Sequence, residues 1–310
     1  ISISSKLKSE STSILICLRL LLVSSNPTLS SPEKIVFIQL SFSLNSLPSS
    51  KYNCTSKSPD TLSFNLITIV VTFFNGLANG AAVIIAQYYG AKDRKSLHVG
   101  VHTAYLFSVV ISLIVSLTGT VLTPWLLKIM NTPQDMMADS ITYLRIYFMG
   151  ILFTLVYNMG SAIMRAVGDS RRPLLYLLIC CVMNIILDIV MVVGMKMGIA
   201  GAALATVISQ CVSAVLVTWS LTRAYDAMKL SVRELRMDAR VLRKELKSGF
   251  PGALQACAYG VTNVVIQASV NSFGTDTAAG WAAYGKLDMI FWTVSSALGA
   301  AVTTFAGQNY

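Results

Sequence analysis

The sequence predicts an all-α fold, a polytopic bundle of transmembrane helices, and three observations predict it. Charge-free stretches occupy residues 61–91, 96–127, 146–164, 173–187 continuing as 189–195, 197–222, 248–275 and 289–310. Each is long enough, or nearly so, to cross the ~30 Å hydrocarbon core of a bilayer at ~1.5 Å per helical residue. Hydrophobic residues make up 54% of the chain and charged residues 12%, with a mean hydropathy of +0.64, a balance that no soluble domain needs. The net charge of +10 is arranged by loop. Lys92, Arg94 and Lys95, then Arg165, Arg171 and Arg172, then eight Lys and Arg between Arg223 and Lys247 lie on alternate connections, while the opposite connections hold only Lys128, Arg145, Lys196 and Lys286. This alternation orients a chain in the cell's inner membrane with loops 91–98, 165–173 and 223–248 in the cytoplasm, so the positive charge serves topology rather than nucleic acid.

Residues 1–62 stand apart. They are rich in Ser and Lys, and their one apolar stretch, from Ile14 to Val23, is interrupted by Arg19, so they read as a disordered or non-native leader. Residues 63–224 read as five spans. The first ends at Gln87-Tyr88-Tyr89-Gly90, and the second near Lys128 before the turn Asn131-Thr132-Pro133. The third runs to Met164 and the loop Gly168-Asp169. Pro173 then suits the first turn of the fourth, which reaches Gly194. The fifth returns from about Gly201, where small residues permit close packing. Residues 225–248 read as a polar linker in which Asp238 caps an amphipathic helix, Ala239 to Lys247, lying at the headgroups. Residues 249–310 hold two more spans, one opened by Gly249-Phe250-Pro251-Gly252 and one running from about Lys286.

Aligning Gln87 with Gln308 pairs Ala86 with Gly307, Ala78 with Gly299 and Tyr89 with Tyr310. Both segments are small-residue spans ending in Gln before an exit on the same side. Internal repetition of this kind suits a transporter whose path lies between two halves, and it makes Gln87 and Gln308 candidates for that path.

One ionisable group interrupts the apolar runs: Asp188. A carboxylate at that depth is costly to ionise and marks ion coupling, a proton relay or a substrate charge. Asn184 lies one helical turn away on the same face, and Thr206 sits at a similar depth on the returning helix. An amide, a carboxylate and a hydroxyl offer hard oxygen ligands to a small cation such as Na⁺, and the carboxylate can take a proton instead. Burial disfavours the ionised acid whereas a bound cation favours it, and this opposition is the physics of coupling. Three polar groups gluing two helices together is the alternative reading.

Other chemistry finds little support. His98 and His102 are one turn apart at a membrane boundary with no acid or Cys close in sequence, so a helix start is preferred to a metal site. The cysteines show no metal or disulfide spacing. No nucleophile–base pair or phosphate loop points to an enzyme, and nothing implies a cofactor or an obligate protein partner.

The motifs Asn184-Ile185-Ile186-Leu187-Asp188, Met197-Gly198-Ile199-Ala200-Gly201-Ala202-Ala203 and Ala205-Thr206 resemble the multidrug and toxic compound extrusion (MATE) family. So do Ala86-Gln87-Tyr88-Tyr89-Gly90, the loop Arg165 to Pro173, and Gly307-Gln308-Asn309-Tyr310. The resemblance covers about residues 64–310. It implies a two-lobe fold of twelve spans that exports organic cations or drugs in exchange for Na⁺ or H⁺, with Asp188, Asn184 and Thr206 at cation-site positions of the N-lobe. Against that pattern the first span with its Asp and the last four spans are missing, so the chain by itself is expected not to transport. A lipid-linked oligosaccharide flippase or polysaccharide exporter of the same superfamily, or a non-transporting membrane fragment, are the competing readings.

Overall fold

The structure, a computed structural model, describes residues 59–129, 134–224, 228–273 and 275–309. The expected leader, residues 1–62, lies almost wholly outside them. Among the described residues the elements are α1 (Pro59–Gly90), α2 (Arg94–Ile129), α3 (Gln134–Ala166), α4 (Arg171–Asp188), a π-helical turn (Ile189–Gly194), α5 (Gly198–Thr222), a 3₁₀ turn (Val232–Glu234), α6 (Ala239–Ser272) and α7 (Thr275–Asn309). No strand occurs among them. Stretches Ile67–Gly90, Arg94–Lys128, Met137–Ala166, Arg171–Gly194 and Gly198–Thr222 are long and apolar enough to cross a membrane. The chain is a multi-pass membrane protein.

The helix starts follow from local chemistry. Asp93 accepts the Ser96 N–H at 3.1 Å, Asp169 accepts the Arg172 N–H at 3.2 Å, and Asp238 accepts the Arg240 and Val241 N–H groups at 2.8 and 3.1 Å. Each satisfies donors that have no partner inside the helix. The Val241 and Arg240 amides accordingly hold the Asp238 carboxyl below its usual range. Between α3 and α4 the chain reverses through Gly168 at φ +94°, a conformation that a Cβ would strain.

α3 is the central helix. It packs on α1, α2 and α5, and its buried row Phe148, Ile151, Leu155, Tyr157 and Ile163 supplies both apolar cores. α2 and α4 instead present Leu117, Val121, Val182 and Ile186 outward, the side suited to acyl chains.

Two boundaries differ from the sequence reading. α6 is one continuous helix through Pro251, without a break between an in-plane segment and a span. Pro251 has no N–H for the Lys247 carbonyl, yet the packing of Gly249 and Ala253 on α1 holds both flanks in line. α7 begins at Thr275, eleven residues before Lys286; 276–286 has no proline, and its four alanines favour helix against Gly280 and Gly285. The linker is tied down instead: the Leu230 N–H donates to the Leu221 carbonyl at 3.0 Å, and the Asp238 N–H to Thr103 Oγ1 at 3.2 Å.

Candidate functional site: a buried polar cluster and a glycine seam

Asn184 and Asp188 fall on the buried face of α4, which packs against α5 through Gly201, Ala202, Ala203 and Ala205. Small residues here let the two backbones approach, and they bring Thr206 opposite Asn184. The Asn184 amide donates to Thr206 Oγ1 at a stretched 3.5 Å, while Thr206 itself donates back to the Ala202 carbonyl at 3.0 Å. Asn184 Oδ1 is buried and has no hydrogen-bond partner. Exposure of Asn184, Asp188 and Thr206 is 0%, 2% and 5%, so bulk solvent does not reach the cluster. An acceptor left open in such a place costs about 1–3 kcal/mol, a cost that a small cation would relieve. The structure joins Asn184 to Thr206 directly, and Asp188 sits one turn further on the same buried face.

The α-helix ends at Asp188 and a π turn begins. The Met195 N–H reaches the Val190 carbonyl at 2.8 Å, five residues back. Such turns occur mostly as single insertions within α-helices and are frequent at functional sites. No residue type in 189–194 announces it, and the sequence reading continued α-helix to Gly194.

Further polar groups line the same bundle. Asn75 on α1, Asn158 and Ser161 on α3 and Gln210 on α5 are all at most 4% exposed, and each has at least one side-chain atom without a hydrogen-bond partner. A cavity of about 10 Å³, room for one water, lies against Asn158 and Ser108. These residues were not singled out from the sequence. The available signal was an isolated Asn or Gln inside a charge-free span, the same signal that marked Asn184.

Gln87 and Gln308 come together at the far end of α1 and α7. A Cβ on Gly90 would fall on the Gln308 backbone, and one on Gly307 would come within 3.0 Å of Ala86 Cβ. The repeat partners Ala86 and Gly307 thus meet across the pairing, as residues related by a local pseudo-two-fold do. Gln308 Nε2 donates to the Ala166 carbonyl at 2.8 Å, closing this end of the molecule. Deeper, Gly80 packs backbone to backbone on Gly249, and Gly76 on Ala253. The α1–α6 crossing is therefore a seam of glycines, shut on the basic-loop side. A cleft of about 220 Å³ opens beside it, lined by Thr72, Asn79, Ser248, Gly252 and Thr303.

The histidine pair gains a partner that sequence spacing hid. His98 Nε2 lies 3.3 Å from Glu234 Oε2, and the two imidazoles lie with centroids 4.0 Å apart and planes tilted by 33°. His102 Nδ1 faces the His98 carbonyl at 2.8 Å and so carries the proton, leaving Nε2 to accept the Ser231 N–H at 3.0 Å. Both nitrogens are committed, so His102 pins the linker to α2 and is no open metal ligand.

An all-helical membrane bundle with a buried, oxygen-rich cluster and a glycine seam is the class of fold the structure defines. Residues 61–190 match the MatE family model. It is 31% identical over 249 residues to the "Probable multidrug resistance protein YpnP" of Bacillus subtilis strain 168, covering 80% of this chain and 55% of that protein. It is 29% identical over 253 residues to the "Probable multidrug resistance protein YoeA" of the same organism, covering 79% of this chain and 55% of that protein. Among solved structures, a MATE protein in the bent conformation superposes with a TM-score of 0.82 at 20% identity, over 93% of this chain and 64% of the other. The chain spans about half the length of the curated relatives it matches.

Proposed function

We propose that this chain is part of a secondary antiporter that exports organic cations or drugs in exchange for Na⁺ or H⁺, with Asp188 as the coupling carboxylate. The observation that carries the proposal is the α4–α5 cluster: a buried acid one turn from Asn184, whose free Oδ1 and Thr206 neighbour offer hard oxygens to a small cation. Charge neutralisation at Asp188 by Na⁺ or H⁺ lowers the cost of keeping it buried. Occupation of the site therefore favours the packed α4–α5 arrangement, and its loss favours a rearrangement that the π turn is suited to absorb. The names of the curated relatives support multidrug substrates. The alternating basic loops support a cytoplasmic location for 91–98, 165–173 and 223–248. Gln87 and Gln308 then belong to the inner closure of the path.

The test uses a transport-competent protein that contains residues 59–309, reconstituted in liposomes preloaded with a fluorescent organic cation. Na⁺ and proton gradients are imposed separately. Efflux that follows one gradient and stops on its collapse is the expected result. Efflux that continues unchanged with both gradients collapsed overturns antiport.

A further inference from the structure

The same face of α6 that forms the glycine seam carries an acid. Glu245, Gly249 and Ala253 follow one another at four-residue spacing and are all buried, while Arg240, Arg243, Lys244 and Lys247 point outward. α1 and α6 run antiparallel through this contact, since Gly76 meets Ala253 and Gly80 meets Gly249. Continuing that register sets Glu245 opposite Ile84, one turn toward the basic-loop end. Its own carbonyl lies 3.0 Å from where a Gly80 Cβ would stand. Glu245 is 3% exposed, and among the described residues its Oε1 has no hydrogen-bond partner and its carboxyl no ion pair.

We propose that Glu245 is a proton-binding site at the α1–α6 seam: the seam closes on the neutral acid, and loss of that proton opens it. This goes beyond the antiport reading and does not depend on Asp188, which lies on another helix. A neutral carboxyl is tolerated against glycine backbones, whereas an unpaired carboxylate there is strongly disfavoured. Among the described residues no charged group lies against the side chain to offset a negative charge. α1 supplies only Tyr88 and Tyr89 as titratable groups beyond residue 60, and α7 supplies none from 289 to 309. The near end of α2 carries Arg94, Lys95, His98, His102 and Tyr105, and His98 is turned to Glu234. On α6 itself Lys244 is directed to the Tyr88 ring, 6.0 Å from its centroid. Burial alone accordingly pushes the Glu245 acid up to about 8.

The sign follows from linkage. With the seam open, Glu245 meets water and titrates near its ordinary value of 4.5. The closed form is then fully favoured below that value, and its advantage is lost as pH rises toward 8. Across that window the open-to-closed ratio should rise by on the order of a thousandfold.

The full chain, with its native cysteines replaced, is placed in lipid nanodiscs and spin-labelled at Lys95→Cys on α2 and Lys247→Cys on α6. The distance distribution is recorded between pH 4.5 and 9. A single short distance at low pH that gives way to a longer one as pH rises is expected, and Glu245→Gln should keep the short distance throughout. Glu245→Met, similar in volume and without a proton to lose, gives the same readout should the amide variant fail to fold. Asp188→Asn should retain the pH response, which separates failure here from failure of the antiport reading. A distance that does not depend on pH in the parent, or an unchanged pH response in the Glu245 variants, overturns the proposal.

Discussion

Asp188→Asn is expected to abolish ion-driven efflux in a transport-competent protein containing this segment, while substrate binding persists. The amide fills the same space, so the packing of α4 on α5 survives, but it neither loses a proton nor offers a net charge to a cation. Coupling between ion and substrate, about 5–150-fold in typical two-site systems, should fall to onefold. The readout is substrate affinity with and without the coupling ion, together with gradient-driven rate. Parental rates and a parental ion effect in the variant would make Asp188 a structural residue, one of three polar groups that hold two helices together. The low exposure of Asn184 and Thr206 fits either role, and only the response to the ion separates them.

The second large effect is expected at the seam. A methyl group on Gly80 has nowhere to go, because it would fall on the Gly249 backbone rather than on a side chain that can rotate away. Overpacking of a tight contact costs about 1–3 kcal/mol and occasionally more, and a backbone-to-backbone contact lies at the upper end. Gly80→Ala should therefore push α1 and α6 apart, seen as a longer distance between labels at Lys95 and Lys247 at every pH. Gly252→Ala is the control. It is on the same helix with nothing within 4 Å of a new Cβ, and Ala favours a helix by about 1 kcal/mol over Gly. An unchanged distance in Gly80→Ala would mean that the seam is not held by glycine contact.

These two effects also mark where sequence reasoning reached and where it stopped. The bundle was legible because lipid imposes a simple rule, a long apolar run without charge, and α1 to α5 obey it. Asp188 was legible for the same reason reversed, and Asn184 followed from helical periodicity. The juxtaposition of Asn184 with Thr206 was inferred from equal depths on antiparallel neighbours, and the contact at 3.5 Å agrees.

Glu245 was not legible. In the sequence it is one of four acids among eight basic residues in an ostensibly solvated linker, and its burial arises only once α6 packs on α1. The break expected at Gly249-Phe250-Pro251-Gly252 was a local-propensity argument that tertiary packing overrode. Glu234 escaped notice because it lies 136 residues from His98, a distance that periodicity cannot bridge. The π turn after Asp188 has no residue signature at all.

The most direct test of the central claim is infrared difference spectroscopy of the carboxyl region, recorded on the chain in lipid as Na⁺ is added at fixed pH and as pH is raised without Na⁺. A protonated-carboxyl band that disappears under one or both treatments, is absent in Asp188→Asn and persists in Glu245→Gln, is the predicted result. A difference spectrum identical in the parent and in Asp188→Asn would show that the coupling ion does not act on this carboxylate, and would contradict the account.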